Sequence, residues 1–334
     1  MRKWIAMVAL AIVASACIVQ AGERLKIGLA LPTQQEERWV RDMHAMQAEA
    51  EKQNIDLRVL IARNDQAQQN SQVEQLLSQG IKVLIIAPHD GEGAAVAVRK
   101  CHEDGVRVIS YDRLIMGTDV DVYMSFDNVA VGELQGKWIS NKVPKGDYIL
   151  MSGAPTDNNA KLFQQGNLNI LQPLIDKGDI KVIVNQPVID WQPSNAQKIV
   201  ENALTLSNNK VDAVLAPNDG CAGGAIAALE AQGLAGKIPV TGMDADGSAA
   251  QRIVRSLQSM TVFKDTRWLG EEAVKLAILM AKGEDIIPYT KGQVVNNDFM
   301  DVPSVLLEAV AVDKDNIDEV LIDSDYLKRE DVYQ

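Results

Sequence analysis

The chain of 334 residues has the length of about two domains, and its 47% hydrophobic and 23% charged residues are the balance of a globular protein. Its formal net charge of −12 is not offset by any cluster of Lys or Arg, which argues against a nucleic-acid partner. The three His lack the spacing to Cys or carboxylates that a zinc site needs, so we expect no metal.

Residues 1–21 have the pattern of a secretory signal peptide. Arg2 and Lys3 precede an apolar run that ends in small residues, and the run is too short for a comfortable membrane span. We expect cleavage after Ala21, as in a soluble exported protein. The alternative is a lipid-bearing N-terminus at Cys17, which is disfavoured because the bulky Ile18 prolongs the apolar segment.

From residue 24 onward, short runs rich in Val, Ile and Leu alternate with amphipathic segments. The first set of runs is RLKIGLAL, DLRVLIA, IKVLIIAP and VRVISY, and the second is DYILMSG, IKVIVNQ, VDAVLAP, IPVTGM and MTVF. Helices are predicted over 36–53, 159–176 and 220–232. Nearly continuous apolar strands that alternate with helices are typical of parallel sheets covered on both faces. Two sets of strands predict two α/β lobes, with the passage between them near 125–138.

Ligands of such sheets bind beyond the carboxyl ends of the strands, and polar side chains gather there in this sequence. The chain has no Walker loop, and the first strand lacks a G-x-G-x-x-G sequence, so we expect no nucleotide cofactor. The strand-end set consists of Arg38, Trp39, Asp112, Arg113, Asp157, Asn158, Asn159, Trp191, Asn218, Asp219, Asp244 and Lys264.

This combination of side chains suits a sugar. Each sugar hydroxyl both donates and accepts hydrogen bonds, which calls for carboxylates together with cations and amides, and indoles can stack on the C–H faces of a pyranose. Plainer interpretations remain open for single residues. Asp157 or Asp219 could be a helix cap, Trp39 could be core, and Lys264 with Asp244 could be a structural ion pair.

Asp112 and Arg113 stand side by side at the end of the run VRVISY. Adjacent residues of a strand point to opposite faces, so these two are poorly placed to pair with each other there. We expect both to turn toward the ligand cleft at the strand's end.

SYDRLI, SFDN, SGAPTDNNAKLF, NDGCAGGAIAAL and GMDADGSAAQRIVRSLQSMTVFKD together resemble the periplasmic D-xylose-binding proteins of bacterial ABC transporters. The motifs occur in order and at similar spacing over nearly the whole chain after the signal peptide. The resemblance implies two Rossmann-like lobes, each a parallel sheet flanked by helices, joined by a three-segment hinge around one sugar. The implied lobes are 24–130 plus 264–301, and 131–263 plus 302–334.

Carried over by position, the resemblance implies a set of sugar-binding residues and the partners of the protein. The residues are Arg38, Trp39, Asp112, Arg113, Asp157, Asn159, Trp191, Asn218, Asp244 and Lys264. The resemblance further implies a periplasmic monomer that binds a monosaccharide, needs no cofactor and docks on an ABC permease of the inner membrane.

The segments LPTQQEERW and FKDTR depart from this pattern. They are closer to a related group that binds several monosaccharides and, in some members, presents the sugar to a sensor kinase. D-xylose remains the first expectation for the ligand, and arabinose, glucose and galactose are alternatives. A chemoreceptor is a further candidate partner.

Two other functional classes fit less well. A sugar-sensing transcriptional regulator would carry a helix-turn-helix where the signal peptide stands. A secreted sugar-modifying enzyme would need a free general acid and base, whereas Asp112, Asp157 and Asp244 each have a cation or amide in the set. We therefore expect no enzymatic activity. Cys101 and Cys221 are expected to be buried thiols rather than a disulfide.

Overall fold

Strands and helices alternate through residues 24–334, the part of the chain that the computed structural model describes, so the predicted signal peptide and Cys17 lie outside the described residues. The strands are β1 (Lys26–Leu31), β2 (Asp56–Ile61), β3 (Val83–Ile86), β4 (Arg107–Tyr111), β5 (Val122–Phe126), β6 (Gly146–Ser152), β7 (Ile180–Pro187), β8 (Ala213–Leu215), β9 (Met260–Phe263), β10 (Val294–Asn296), β11 (Asp301–Leu307) and β12 (Val310–Asp313). The helices are α1 (Glu37–Lys52), α2 (Gln66–Ser78), α3 (Ala95–Glu103), α4 (Asn128–Lys142), α5 (Asn158–Asp176), α6 (Pro193–Ser207), α7 (Asp219–Ala231), α8 (Gly247–Val254), α9 (Thr266–Ala281), α10 (Ile287–Thr290) and α11 (Arg329–Val332).

The first lobe is built on a seven-stranded sheet in the order β10-β11-β5-β4-β3-β1-β2, in which only β10 runs antiparallel to its neighbour. Along its strands, the residues that point to either face of the sheet are buried. Leu29 and Ile85 belong to the apolar cluster on one face, and Ala30 and Ile86 to the cluster on the other. Helices α1 and α9 cover the first face and α2 and α3 the second, which confirms the predicted sheet covered on both sides.

The second lobe has a parallel three-stranded sheet, β7-β6-β8, and an antiparallel pair, β9 and β12. The predicted strand IPVTGM is reduced to a single bridge between Val214 and Val240. Its backbone groups still join the two sheets, because Thr241 donates to Val214 on one side and Val240 accepts from Ser259 on the other. Helices α4 to α8 and α11 complete this lobe.

The chain passes between the lobes three times, after β5, after β9 and after β11. The third passage differs from the predicted boundary at 301/302. Strand β11 pairs with β5, with Ser304 opposite Tyr123 and Leu307 opposite Phe126, so residues 302–307 lie in the first lobe's sheet. The boundary implied by the resemblance therefore falls before β11 is complete, whereas the chain leaves the first lobe only after Leu307.

Close packing between α4 and α5 helps to position the strand ends of the second lobe. A β-carbon at Gly132 would collide with the backbone of Phe163, and one at Gly166 with the backbone of Val129, so the backbones of α4 and α5 are in direct contact.

Among residues 24–334, no helix combines the length and apolar character needed to cross a membrane.

Candidate functional site

The carboxyl ends of the strands of both lobes enclose one buried cavity. About 290 Å³ of this space is not filled by protein atoms, and part of it is open to solvent. Its lining consists of Glu36, Arg38, Trp39, Asp112, Arg113, Asp157, Asn159, Phe163, Trp191, Asn218, Met243, Asp244 and Lys264. All ten residues of the predicted binding set therefore lie together, although β1, β4 and α1 belong to one lobe and α5 to α8 to the other.

Asp112 and Arg113 diverge into this cavity without pairing with each other. Asp112 Oδ2 lies 2.7 Å from Nη1 of Arg38 in its own lobe, whereas Arg113 Nε lies 2.8 Å from Oδ2 of Asp157 in the other lobe. The two residues thus share the turn toward the cleft but serve separate ion pairs.

A third ion pair joins Lys264 Nζ to Asp244 Oδ1 at 2.9 Å. All six charged groups of these pairs are buried, with no more than 6% of any residue exposed. Because charges buried without partners cost several kcal/mol each, each of these groups depends on its ion-pair partner. Lys264 and Asp244 thus form the ion pair that the sequence left open, and both also line the cavity.

The electrostatic balance differs among the carboxylates. Burial raises the pKa of Asp112, but the charges of Arg38, Lys264 and Arg113 outweigh it and hold that pKa below its usual range. For Asp157 burial prevails over the opposing charge of Arg113, so its pKa is raised. Asp112 is consequently a firm acceptor at neutral pH.

The two tryptophans line the cavity from opposite lobes and belong to one apolar cluster that spans both lobes. Trp39 is only 1% exposed and packs in the core of the first lobe, with the guanidinium of Arg38 4.5 Å and that of Arg113 5.2 Å from its ring centroid. Trp191 packs edge-on against Phe163. Neither indole Nε1 has a hydrogen-bond partner. Trp39 is therefore both a buried core residue and part of the cavity wall.

Helix capping accounts for part of the polar set. Asp157 Oδ1 accepts from the backbone N–H of Asn159 and caps α5, while its other oxygen pairs with Arg113. Asn218 caps α7 by accepting from the N–H of Cys221. Asp219, which the sequence offers as a cap, is instead fully buried, and its carboxylate accepts from Gln258, Thr261 and the N–H of Asp246. Burial is the main cause that raises the pKa of Asp219 to about 7.

Three cavity residues, Asp112, Trp191 and Asp244, have φ angles of 59°, 55° and 99°. Such conformations cost side-chain-bearing residues about 1–3 kcal/mol and cluster at ligand sites. At Asp112 the surroundings fix the conformation, because its carbonyl accepts hydrogen bonds from Tyr123, Ser125 and Asn159.

Several direct bonds hold the two lobes together beside the cavity. Besides the pair of Arg113 with Asp157, the N–H of Gly91 donates to the carbonyl of Thr156 at 3.0 Å. At the other rim Glu37 Oε2 accepts from the N–H of Gly247 at 3.1 Å, at the start of α8. The cleft is therefore closed, with the lobes in contact on both sides of the cavity.

Glu36, Phe163 and Met243 line the cavity but are absent from the predicted set. Phe163 lies one helical turn after Asn159, and Met243 directly precedes Asp244, so spacing could have indicated both. Glu36 stands beside Glu37 at the start of a helix, where acidic residues are common for reasons of capping and helix dipole alone.

The two free cysteines of the described residues, Cys101 and Cys221, are both buried. Within residues 24–334 no group of three or more His, Cys, Asp or Glu side chains is arranged to hold a metal ion.

Comparison with known proteins identifies the architecture. The family described as periplasmic binding protein domain matches residues 27–285. The chain is 44% identical to the D-xylose-binding periplasmic protein of Haemophilus influenzae and 35% identical to the multiple sugar-binding periplasmic receptor of Rhizobium radiobacter, in each case over 92% of both chains. A carbohydrate transporter solute-binding protein from Chloroflexus aurantiacus, solved in complex with D-glucose, superposes with a TM-score of 0.85 at 34% identity, over 92% of this chain and 98% of that one.

Proposed function

The chain belongs to the periplasmic binding protein family, and from that premise we propose that it captures a monosaccharide, D-xylose first among them, by closing two lobes around it and delivers it to an ABC permease. The proposed role is binding without turnover, in accord with the names of the relatives.

The observation that carries the proposal is the convergence of three ion pairs and two indoles on one buried cavity. Carboxylates paired with cations are strong acceptors for hydroxyl groups, and the cations beside them are strong donors. A monosaccharide offers several hydroxyls that can use both kinds of partner, together with C–H faces for Trp39 and Trp191.

Closure would follow from the division of these groups between the lobes. The first lobe contributes Arg38, Trp39, Asp112 and Arg113, the second contributes Asp157, Asn159, Trp191, Asn218 and Asp244, and Lys264 lies at the passage directly after β9. A sugar bound to both sides stabilises the closed arrangement by its differential affinity. In this proposal the passages after β5, β9 and β11 form the hinge, and each lobe moves as a unit.

The finer partners follow the same premise. We infer export to the periplasm after loss of residues 1–21, a monomeric state, and docking of the closed form on an inner-membrane permease. A chemoreceptor or sensor kinase would be a further partner of the closed form, and pull-down of sugar-loaded against sugar-free protein tests it. Sedimentation tests the monomer.

The central test is binding of a panel of pentoses and hexoses to the chain without residues 1–21. A ligand that binds only the native state raises the melting temperature, so D-xylose should give the largest shift, and calorimetry then gives the dissociation constants. NMR of the recovered sugar should show no chemical change. No binding by any sugar of the panel would refute the function.

Arg113 offers the matching variant. Arg113→Ala should weaken sugar binding by well over tenfold, because it removes a charge-assisted donor and leaves Asp157 without its cation. Arg58→Ala, at a half-exposed surface ion pair with Asp56, is the control and should bind normally. Unchanged affinity in Arg113→Ala would contradict the assigned role of Arg113.

A second candidate is binding of several monosaccharides, which the 35% identity to the multiple sugar-binding receptor favours. Dissociation constants for D-xylose, L-arabinose, D-glucose and D-galactose within tenfold of one another would support it. A single preferred sugar supports the first proposal.

A further inference from the structure

Glu36 places a fourth carboxylate at the cavity, and one of its oxygens has no partner. The residue directly precedes α1 at the N-cap position, yet its side chain makes no capping hydrogen bond. Its Oε2 is buried and unpaired, and the residue lines the cavity. The ordinary structural use of an acidic residue at a helix start therefore does not account for this side chain.

The charges of the cavity wall set Glu36 apart from the other acids. Asp112, Asp157 and Asp244 each have a cation within 2.9 Å, and these three cations are the only Lys or Arg residues in the described lining. A buried acceptor without a donor costs about 1–3 kcal/mol. A ligand that brings a donor to Glu36 would recover that cost.

We propose, resting on the proposed sugar-binding function, that Glu36 is a specificity-determining residue whose Oε2 accepts a hydrogen bond from one hydroxyl of the sugar. A sugar that lacks this hydroxyl, or presents it in the other orientation, leaves the carboxylate unpaired and binds more weakly. Discrimination by a buried polar group that is left unpaired is stronger than discrimination by shape alone.

The groups that face Glu36 give the interaction a signature in pH. Burial raises the pKa of Glu36, Arg113 and Arg38 oppose the rise, and Asp244 adds to it; the buried thiol of Cys221 on α7 faces it from the second lobe. A hydroxyl that donates to the carboxylate favours the ionised form and so lowers that pKa again. Sugar binding then releases a proton, and affinity increases as pH rises through the pKa of free Glu36.

The test uses the best-binding sugar, each of its monodeoxy analogues, and three proteins: wild type, Glu36→Gln and Glu36→Leu. Replacing the sugar by one of these analogues should reduce affinity at least fivefold more in wild type than in Glu36→Leu. The Leu side chain cannot accept a hydrogen bond, so Glu36→Leu should not distinguish that analogue from the sugar. Glu36→Gln should bind with a dissociation constant that changes less between pH 4.5 and 7 than that of wild type. Glu51→Gln, on the exposed side of the same helix, is the control and should retain the wild-type pH profile.

The outcomes separate this inference from the function on which it rests. Absence of sugar binding by wild type would overturn the function itself. Binding by wild type, with every analogue losing the same factor in wild type and Glu36→Leu, would overturn the role of Glu36 and leave the function standing. An unchanged pH profile in Glu36→Gln would also overturn it.

Discussion

Gly153→Ala tests whether the position of Trp191 is fixed by the backbone of the strand end. Gly153 directly follows β6, and a β-carbon built there would lie no more than 2.5 Å from three ring carbons of Trp191. Carbon atoms in favourable contact lie about 3.5–4.0 Å apart, so the indole would have to retreat by about 1–2 Å. Because Trp191 lines the cavity and packs on Phe163, the shift displaces part of the cavity wall.

The magnitude follows from overpacking, which costs about 1–3 kcal/mol in a well-packed interior. If this strain is expressed in the closed, loaded state, sugar binding weakens about 5- to 150-fold. Calorimetry measures the affinity, and thermal unfolding measures stability. Gly220→Ala is the matched control in the same lobe, since its β-carbon would meet the nearest atom at an ordinary 3.5 Å.

A double-mutant cycle isolates the contact between Gly153 and Trp191. Trp191→Ala removes the ring, so adding Gly153→Ala to that variant should cost no further affinity, whereas independent sites would add. Wild-type affinity and melting temperature in Gly153→Ala would refute the reasoning, since the ring would then not be held by this backbone.

Two further predictions concern the lobe contact and the buried acid behind Arg38. Glu37→Ala removes the acceptor for the N–H of Gly247 and should weaken sugar binding about two- to tenfold, the worth of one hydrogen bond, although Glu37 does not line the cavity. Burial, opposed by Arg38 and by the hydroxyl of Tyr111, raises the pKa of Asp42 from 3.8 to about 6. The folded state therefore holds this proton more tightly than the unfolded state, and Asp42 should lower the free energy of unfolding by about 2 kcal/mol as pH rises from 4 to 6, a contribution that Asp42→Asn lacks.

Calorimetry checks the first of these predictions and urea unfolding between pH 4 and 8 the second. Unchanged affinity in Glu37→Ala would mean that the rim contact does not favour closure. Parallel stability profiles for wild type and Asp42→Asn would contradict the raised pKa of Asp42.

The strand ends were predictable because a parallel sheet brings the carboxyl ends of its strands to one edge, whatever their separation in sequence. Asp112 and Arg113 could be assigned to the cleft on that rule. Their partners could not, since the pairing of Arg113 with Asp157 depends on how the two lobes meet. The place of Glu36 in the cavity could not be predicted for a different reason. An acidic residue before a helix commonly caps it, and only the structure shows that the Glu36 side chain makes no capping hydrogen bond.

The elements that sequence patterns missed are those with mixed local signals. Pro303 obscures β11, whose ladder with β5 begins only at Ser304. The run IPVTGM has the composition of a strand but lies between two sheets, where its hydrogen bonds go alternately to β8 and to Ser259. Such outcomes are decided by tertiary neighbours rather than by local propensity.

The placement of β11 and β12 has a consequence for how the molecule assembles. Strand β11 pairs with β5 and completes the sheet of the first lobe. A few residues later, β12 pairs with β9 in the second lobe, where Asp313 also accepts a hydrogen bond from the indole of Trp138. Neither lobe can finish folding until this last segment has joined it, and pairings so distant in sequence form slowly. A chain cut before residue 301 would therefore lack one strand of each lobe, and its melting temperature should be lower than that of the intact protein.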